Sequence, residues 1–312
     1  MALRRDQLEG VFCAMVTPTR ADGGVDREGT ERLVEYLLDN GVTGLVPVGG
    51  TGEYTALTPA ARREMTEVTA RAAAGRVPVV AGVLSPGYGE AVAAGLDLAA
   101  AGADALLVLT PFYATSTQER IREYFRRYAA AVPVPVLLYE IPSRTNVALD
   151  PATVEAMVDD GSIVGMKACN TSLSQFVGVM RRVGDQIAVM SGEEPFFATH
   201  VAMGATGGIL ATSNLVPRLW NAVQEAARGG DLRAAMARQG ELGAFLDAVF
   251  AETNPGPLKA AMGIAGLAVG EALCPLGPPT PAVRARLEDL VPKVMARERA
   301  LGGAKMRAAA AE

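Results

Sequence analysis

Lys167 lies near the end of an otherwise apolar run at residues 163–168 of this 312-residue chain. Lysine is rarely buried without a partner or a task. Desolvation lowers the pKa of an amine and raises the fraction of free base that can attack a carbonyl carbon. We therefore take Lys167 as a candidate nucleophile. The alternative is a lysine that extends from the end of a strand into solvent and forms an ordinary salt bridge.

A glycine-rich segment at residues 49–53, Gly-Gly-Thr-Gly-Glu, follows another apolar run. Consecutive glycines allow a sharp turn whose backbone N–H groups can hold a carboxylate or a phosphate. The segment has neither the Gly-Lys-Ser/Thr of a P-loop nor the Gly-x-Gly-x-x-Gly of dinucleotide sites, so nucleotide binding is not predicted. Gly50 and Thr51 are candidate anion-binding residues, and a plain tight turn is the alternative.

Tyrosines follow two further apolar runs, in Thr-Pro-Phe-Tyr at residues 110–113 and Tyr-Glu-Ile-Pro-Ser-Arg-Thr at residues 139–145. Strand alternation puts Tyr139 and Glu140 on opposite faces. Arg144 follows a rigid proline turn and has the fork geometry that binds an anion through two hydrogen bonds. A tyrosine at the end of a strand packs more often than it reacts, so the residues alone leave both roles open.

All of these residues follow short β-rich runs that alternate with helical patterns. The runs lie at residues 11–17, 44–48, 77–83, 105–110, 134–141, 163–168, 187–191 and 207–211. Strands that are apolar throughout and are separated by helices predict a parallel sheet covered on both faces. Eight such units predict an α/β fold, a (β/α)8 TIM barrel whose site lies at the carboxyl ends of the strands. A doubly wound sheet is the alternative.

The β-rich runs stop at residue 211, and the pattern from 215 to 301 is helical. The sequence therefore predicts a barrel with the active site over residues 1–214 and a C-terminal helical region over residues 215–312 that packs on the barrel. No long linker separates the two.

Composition excludes several classes of protein. The formal charge of −5 argues against nucleic acid, which favours a basic face. Cys13, Cys169 and Cys274 are far from one another and from His200, the single histidine, so no metal site is predicted. We expect His200 to pack or to form a hydrogen bond in an amphipathic helix. We expect no cofactor.

No apolar run reaches the roughly 18 residues that a membrane span requires. Residues 1–10 carry several charges with no apolar segment behind them, which is unlike a signal peptide. We therefore expect a cytoplasmic protein with no membrane partner.

In their order and spacing, the segments at residues 49–53, 110–113, 139–145 and 165–167 resemble the dihydrodipicolinate synthase/N-acetylneuraminate lyase family. The resemblance covers nearly the whole chain. It includes Ser-Gly-Glu-Glu from residue 191, Gly-Gly-Ile from residue 207 and Asn-Pro-Gly-Pro-Leu-Lys from residue 254. It implies a (β/α)8 barrel with a C-terminal helical region, class I aldolase chemistry, and a homotetramer built as a dimer of dimers.

The resemblance also implies catalytic roles. Lys167 matches the lysine that forms an imine with pyruvate or another 2-oxo acid, and Tyr139 matches the tyrosine whose hydroxyl shuttles protons. Tyr113 matches a tyrosine that reaches across the tight dimer to complete a hydroxyl relay. A protonated imine is an electron sink for the adjacent carbon, so aldol cleavage, aldol addition or β-elimination can proceed without a metal.

The remaining implied roles concern substrate binding. Thr51 and the backbone of Gly50 fall where the family holds the carboxylate of the 2-oxo acid. Arg144 matches the arginine at the entrance that receives the carboxylate of an aldehyde substrate. Ile209 lies where a backbone carbonyl faces the site.

The sequence departs from the synthase pattern at Gly50, where synthases have threonine and neuraminate lyases have serine. The middle hydroxyl of the relay is therefore missing unless water replaces it, and loss of such a group costs roughly 10²–10⁴ in rate. Gly-Gly-Thr-Gly-Glu looks like sugar-acid dehydratases such as ketodeoxyglucarate dehydratase, whereas Pro-Ser-Arg-Thr at residues 142–145 is like the synthases. Ala168 also replaces an acidic residue common in synthases.

Three hypotheses follow. The leading one is a Schiff-base-forming lyase that acts on pyruvate or a 2-oxo-3-deoxy acid by aldol cleavage, aldol addition or dehydration through Lys167. The alternative is 4-hydroxy-tetrahydrodipicolinate synthase, which condenses pyruvate with aspartate semialdehyde in lysine biosynthesis. The third is a non-catalytic 2-oxo-acid-binding member of the family. The presence of Lys167, Tyr139 and Tyr113 together favours an enzyme, because binding alone needs no nucleophile.

Overall fold

The computed structural model describes residues 3–114 and 116–309, and the side chains at the C-terminal end as far as residue 302. The strands are β1 Gly10–Ala14, β2 Gly44–Val46, β3 Val80–Val83, β4 Ala105–Leu109, β5 Val136–Glu140, β6 Gly165–Ala168, β7 Ala188–Ser191 and β8 Gly207–Leu210. The helices that alternate with them are α1 Arg27–Asp39, α2 Pro59–Ala73, α3 Tyr88–Ala100, α4 Gln118–Ala131, α5 Pro142–Thr145, α6 Pro151–Asp159, α7 Leu173–Val183, α8 Phe197–Ala202 and α9 Pro217–Arg228.

Within the described residues, the eight strands form one parallel sheet in the order β2-β1-β8-β7-β6-β5-β4-β3. The two end strands also meet, because Leu45 and Val79 form a parallel bridge. In addition, the Gly82 N–H donates to the Pro47 carbonyl at 3.0 Å. The sheet is therefore a nearly closed (β/α)8 barrel. The predicted TIM barrel is confirmed, and the alternative of an open, doubly wound sheet is wrong.

The strands are apolar throughout because both of their faces are covered. Every residue of β4 and of β5 is buried, including Glu140. On the outside, α1 buries Leu33, Val34 and Leu37, which lie on one face of the helix. This double coverage fixes the strand ends, and the residues that follow them, in a rigid ring.

After the barrel come α10 Leu232–Gly240, α11 Gly243–Val249, α12 Gly256–Ile264 and α13 Pro281–Ala309. The predicted helical C-terminal region is thus present. α9 packs against β1, and its fully buried Trp220 donates to the Thr212 hydroxyl at 2.8 Å. The proposed division of the chain after residue 214 stays a prediction. Residues 1, 2, 115 and 310–312 lie outside the described residues.

None of the helices that the structure describes combines the length and the apolar character needed to cross a bilayer.

Candidate active site

A cavity of about 670 Å³ opens among the loops that follow the strands. Six of the seven residues singled out in the sequence line it: Gly50, Thr51, Tyr139, Arg144, Lys167 and Ile209. Tyr113, the seventh, is 96% exposed and has a left-handed backbone with φ 71°. In the single chain, Tyr113 is not among the residues that line this cavity.

Lys167 and Tyr139 lie side by side at the centre of the site. Their Cα atoms are register partners on β6 and β5, and the Lys167 Nζ atom is 4.6 Å from the centroid of the Tyr139 ring. Both side chains are buried, with exposed fractions of 7% and 6%. Lys167 therefore does not extend into solvent to a surface salt bridge. The amine and the phenol are positioned by two adjacent strands of a rigid barrel.

The pKa of Lys167 reflects opposing effects. Burial lowers it, but the negative charge that Tyr139 and Cys169 can carry raises it, and the net pKa lies above the ordinary value. The sequence-based expectation of a lowered pKa is therefore wrong in its net direction. Burial also raises the pKa of both Tyr139 and Cys169 to about 12. An amine with a raised pKa has to lose a proton before it can attack a carbonyl carbon.

Gly192, directly after β7, is what allows Lys167 to adopt its position. A Cβ atom on Gly192 would lie 2.7 Å from the Lys167 Cε atom and would overlap the Cys169 Sγ atom. The Gly192 N–H donates to the Ala168 carbonyl at 2.8 Å, which holds the two strand ends together. Any side chain at this position would displace the lysine. Gly192 belongs to the site although only the motif around it was noted in the sequence.

The glycine-rich segment forms a tight and strained turn after β2. Val48 and Glu53 both have positive φ, 51° and 60°, a conformation that is a genuine outlier for a β-branched residue such as valine. A Cβ on Gly52 would lie 2.7 Å from the Val48 backbone N atom. At Gly50, by contrast, an added Cβ would meet only the Tyr139 hydroxyl, at 3.9 Å. The position next to the phenol is therefore open.

The C-terminal region fixes this turn from the other side. The Asn254 Nδ2 atom donates to the Thr51 hydroxyl at 2.8 Å. Lys259 and Glu53 form an ion pair of 2.6 Å in which each side chain is 1% exposed. Glu53 also accepts from the Leu273 N–H at 2.5 Å. The end of the cavity that contains Gly50 and Thr51 is thus built jointly by the β2 turn and by residues more than 200 positions away in the sequence.

Two charged residues of the cavity lining stand on either side of Lys167. Arg144 lies on α5, directly after β5, and Glu193 follows Gly192 after β7. Burial raises the pKa of the Glu193 carboxyl, while the nearby Lys167 lowers it. The sequence pointed to Arg144 but not to Glu193 or Asn254. The only sequence feature that could have indicated these two residues is that they lie in the Ser-Gly-Glu-Glu and Asn-Pro-Gly-Pro-Leu-Lys segments.

His200 is structural, as expected from the sequence. Its Nδ1 atom lies 2.9 Å from the Ser191 hydroxyl, and its ring stacks on Phe176 with a centroid separation of 3.8 Å. Burial lowers the pKa of His200 to about 4. Within the described part of the chain, no three His, Cys, Asp or Glu side chains are grouped so as to hold a metal ion.

Fold and cavity together define the class: a (β/α)8 barrel with a buried lysine at the carboxyl end of β6. Residues 7–294 match the model of the dihydrodipicolinate synthetase family. The chain is 38% identical over 284 residues to the 4-hydroxy-tetrahydrodipicolinate synthase of Anaeromyxobacter sp. (strain K), covering 91% of this chain and 96% of that protein. It is 39% identical over 280 residues to the synthase of Synechococcus sp. (strain WH7803), covering 89% and 93%.

Solved structures agree. The crystal structure of dihydrodipicolinate synthase from Aquifex aeolicus superposes with a TM-score of 0.87 at 31% identity, covering 91% of this chain and 97% of that one. The chloride-inhibited synthase from Acinetobacter baumannii, complexed with pyruvate, gives a TM-score of 0.88 at 30% identity, covering 93% and 99%. The chain belongs to the dihydrodipicolinate synthetase family, and it is a lyase.

Proposed function

We propose that the chain adds pyruvate to aspartate semialdehyde through an imine on Lys167, as a 4-hydroxy-tetrahydrodipicolinate synthase. The observation that carries the proposal is the pairing of Lys167 with Tyr139, with 4.6 Å between the Nζ atom and the ring centroid, inside the cavity. The names of the relatives support the choice of reaction. This is the alternative hypothesis drawn from the sequence. The leading one, a lyase acting on a 2-oxo-3-deoxy acid, becomes the second candidate below.

The chemistry follows from an amine beside a neutral phenol. The Lys167 nitrogen attacks C2 of pyruvate, a C–N bond forms, and the carbonyl oxygen leaves as water after proton transfers in which Tyr139 takes part. Loss of a C3 proton gives a neutral enamine, which attacks the aldehyde carbon and forms the new C–C bond. The amino group of the bound aldehyde then attacks C2, the bond to Lys167 breaks, and the cyclic product is released.

Two anchors orient these reactants. The Thr51 hydroxyl and the Gly50 backbone bind the carboxylate of pyruvate at the β2 turn. Arg144 binds the carboxylate of the aldehyde near the cavity entrance, and the Ile209 carbonyl faces the reacting atoms. Holding both reactants beside the nucleophile converts a reaction between separate molecules into one within a complex, which is worth several kcal/mol of barrier.

We also propose that Tyr113 serves a neighbouring subunit in a homotetramer arranged as a dimer of dimers. An aromatic side chain that is 96% exposed and held at φ 71° is costly in an isolated chain. An interface that covers the ring would explain its position.

A second candidate is cleavage or dehydration of a 2-oxo-3-deoxy acid through the same imine. Gly50 favours it, because this glycine leaves the Tyr139 hydroxyl without the threonine or serine neighbour that would complete a relay. Both candidates share imine formation on Lys167. In cleavage the enamine forms when the C3–C4 bond of the bound sugar acid breaks, and in dehydration it forms by loss of a C3 proton before the C4 hydroxyl leaves, so the candidates differ after the imine.

Steady-state turnover distinguishes the two. Pyruvate with L-aspartate 4-semialdehyde is assayed against a panel of 2-oxo-3-deoxy acids, each over a range of concentrations. We expect kcat/KM for the synthase reaction to exceed kcat/KM for every 2-oxo-3-deoxy acid. Faster turnover of a sugar acid, with little synthase activity, would favour the second candidate.

A further inference from the structure

Glu193 and Arg144 are two opposite charges of the cavity lining. In the part of the chain that the structure describes, the Glu193 carboxylate forms no hydrogen bond or close ion pair, and neither does the Arg144 guanidinium. Other charged groups in this region are engaged: Glu53 binds Lys259, and Glu252 binds the Thr280 hydroxyl at 2.5 Å. Unpaired charges that face a cavity are the groups that a ligand can pair.

The backbone holds Glu193 firmly. Its carbonyl accepts from the Phe196 N–H at 3.1 Å and from the Ser191 hydroxyl at 3.3 Å. Gly192, the residue before it, packs directly on Lys167. The partly buried Glu193 side chain therefore starts from a fixed point next to the nucleophile.

Arg144 is held with similar firmness on the opposite side. Its N–H donates to the Ile141 carbonyl at 3.0 Å, and Asn146 ends the short helix α5 in the left-handed conformation. Because β5, β6 and β7 are neighbours, the ends of β5 and β7 lie about 10 Å apart with Lys167 between them. A small substrate bound at Lys167 can thus lie between a cation and an anion.

We propose that Glu193 is the specificity residue that binds the ammonium group of the second substrate, so that the site selects an α-amino-acid aldehyde. Arg144 takes the carboxylate of that molecule, and Glu193 takes its ammonium. This inference rests on the proposed function and deepens it, because it names the feature of the aldehyde that the site recognises.

Charge compensation explains why the partner is a cation. In the free enzyme, Lys167 is the positive neighbour of Glu193. Once Lys167 has become part of the neutral enamine, that compensation is lost, and a partly buried carboxylate without a counter-charge is unfavourable. An incoming ammonium restores the balance at the step where the aldehyde must bind. An aldehyde that carries only a carboxylate brings like charge towards Glu193 instead.

The test compares two aldehydes that differ only in the amino group, with pyruvate as the first substrate. L-Aspartate 4-semialdehyde is offered as the substrate, and succinic semialdehyde is tested as a competitive inhibitor against it. Glu193→Gln keeps the size of the side chain and removes its charge. We expect it to raise KM for the amino aldehyde about 10- to 100-fold, the range for loss of a charge-assisted hydrogen bond. The Ki of succinic semialdehyde is expected not to rise.

Two further variants sharpen the result. Glu193→Asp keeps the charge, and we expect it to recover part of the affinity for the amino aldehyde. Glu252→Gln removes a lining carboxylate that is already bound to Thr280, and we expect it to leave the ratio of KM to Ki unchanged.

Borohydride trapping with pyruvate separates this inference from the proposed function. If the wild type forms no trappable imine, the proposed function itself fails. If the imine forms normally but Glu193→Gln leaves KM for the amino aldehyde unchanged, only the role of Glu193 is overturned. The role of Glu193 is also overturned if Glu193→Gln abolishes trapping, because the carboxylate would then be needed for imine formation on Lys167 and not for binding the second substrate.

Discussion

Glu53 and Lys259 form a fully buried ion pair of 2.6 Å that joins the turn after β2 to α12. The Lys259 Nζ atom also donates to the Glu271 carbonyl at 3.0 Å. The pair holds Glu53 at φ 60°, a conformation that carries strain in a non-glycine residue. The C-terminal region therefore takes part in building the end of the cavity where we propose that the carboxylate of pyruvate binds.

Lys259→Met is expected to lower the free energy of unfolding by about 3–5 kcal/mol, because it leaves the Glu53 carboxylate buried and uncompensated. Urea denaturation followed by circular dichroism measures the change. Lys293→Met is the matched control: Lys293 and Asp289 are also 2.6 Å apart, but their side chains are 64% and 63% exposed. Loss of this exposed pair costs at most about 1 kcal/mol. If both substitutions lowered the free energy of unfolding equally, the proposed stabilising role of the buried Glu53–Lys259 ion pair would be contradicted.

Asn254 orients the Thr51 hydroxyl by donating a hydrogen bond to it. Because Asn254 donates to the Thr51 Oγ1 atom, the hydroxyl proton of Thr51 remains free to donate to the carboxylate of pyruvate. Asn254→Asp replaces the donor by an acceptor that captures this proton, and it adds a negative charge next to the bound anion. We expect KM for pyruvate to rise about 10- to 100-fold.

The control for Asn254 is Asn221→Asp, since the Asn221 amide donates to the Gly41 carbonyl at 2.9 Å on the outside of the barrel. This variant is expected to keep KM for pyruvate near that of the wild type. An Asn254→Asp enzyme with normal KM for pyruvate would show that Thr51 does not bind the carboxylate.

Gly50→Thr tests whether the relay hydroxyl that Gly50 lacks limits the rate of the synthase reaction. An added Cβ at Gly50 would meet only the Tyr139 hydroxyl, at 3.9 Å, so threonine fits and places its own hydroxyl next to the phenol. We expect kcat of the synthase reaction to rise about 10²-fold, the lower end of the effect of a positioned proton-transfer group. Gly50→Val has the same shape without the hydroxyl and is expected to give no such gain. If kcat of Gly50→Thr did not exceed kcat of Gly50→Val, a hydroxyl at this position would have no role in proton transfer.

Glu194 is expected to make the free energy of unfolding depend on pH. Its carboxylate accepts from the Thr212 N–H at 2.8 Å and from the Thr212 hydroxyl at 2.9 Å. Burial nevertheless raises its pKa from 4.5 to about 7. A carboxyl whose pKa is raised in the folded state contributes stability while it is protonated, and this stability is lost as the pH rises from about 4.5 through about 7.

Glu194→Gln removes that titration. The difference in free energy of unfolding between wild type and variant is expected to fall by at most about 3 kcal/mol across this pH range, at roughly 1.4 kcal/mol per pKa unit. Urea titrations at several pH values measure it. Glu288→Gln, at a side chain that is 54% exposed, is expected to give a constant difference. A constant difference for Glu194→Gln as well would refute the prediction.

The sequence predicted the barrel because its strands are covered on both faces and therefore form continuous apolar runs. The predicted strands were longer than those observed where proline intervenes. β3 begins at Val80 and β5 at Val136, since Pro78 and Pro135 cannot donate a backbone N–H to the sheet. The positions of Lys167 and Tyr139 in the cavity followed from the rule that barrel sites lie at the carboxyl ends of strands.

What the sequence could not predict depends on contacts between distant residues. Thr51 and Asn254 are 203 positions apart, and no periodicity relates them. The net rise in the pKa of Lys167 comes from Tyr139 and Cys169, whose distances from the amine depend on the register of β5 and β6. Likewise, the absence of a hydrogen bond or ion pair from the Glu193 carboxylate to any described residue is visible only once all of its neighbours are in place.

The central claim is the imine on Lys167, and intact mass after borohydride reduction tests it most directly. Wild-type protein incubated with pyruvate and then reduced is expected to gain one adduct per chain, located on Lys167 by peptide mapping. Lys167→Ala is expected to gain none, whereas Lys293→Ala, at an exposed lysine, is expected to gain the same adduct as the wild type. Absence of the adduct from the wild type, or an equal adduct on Lys167→Ala, would contradict the account.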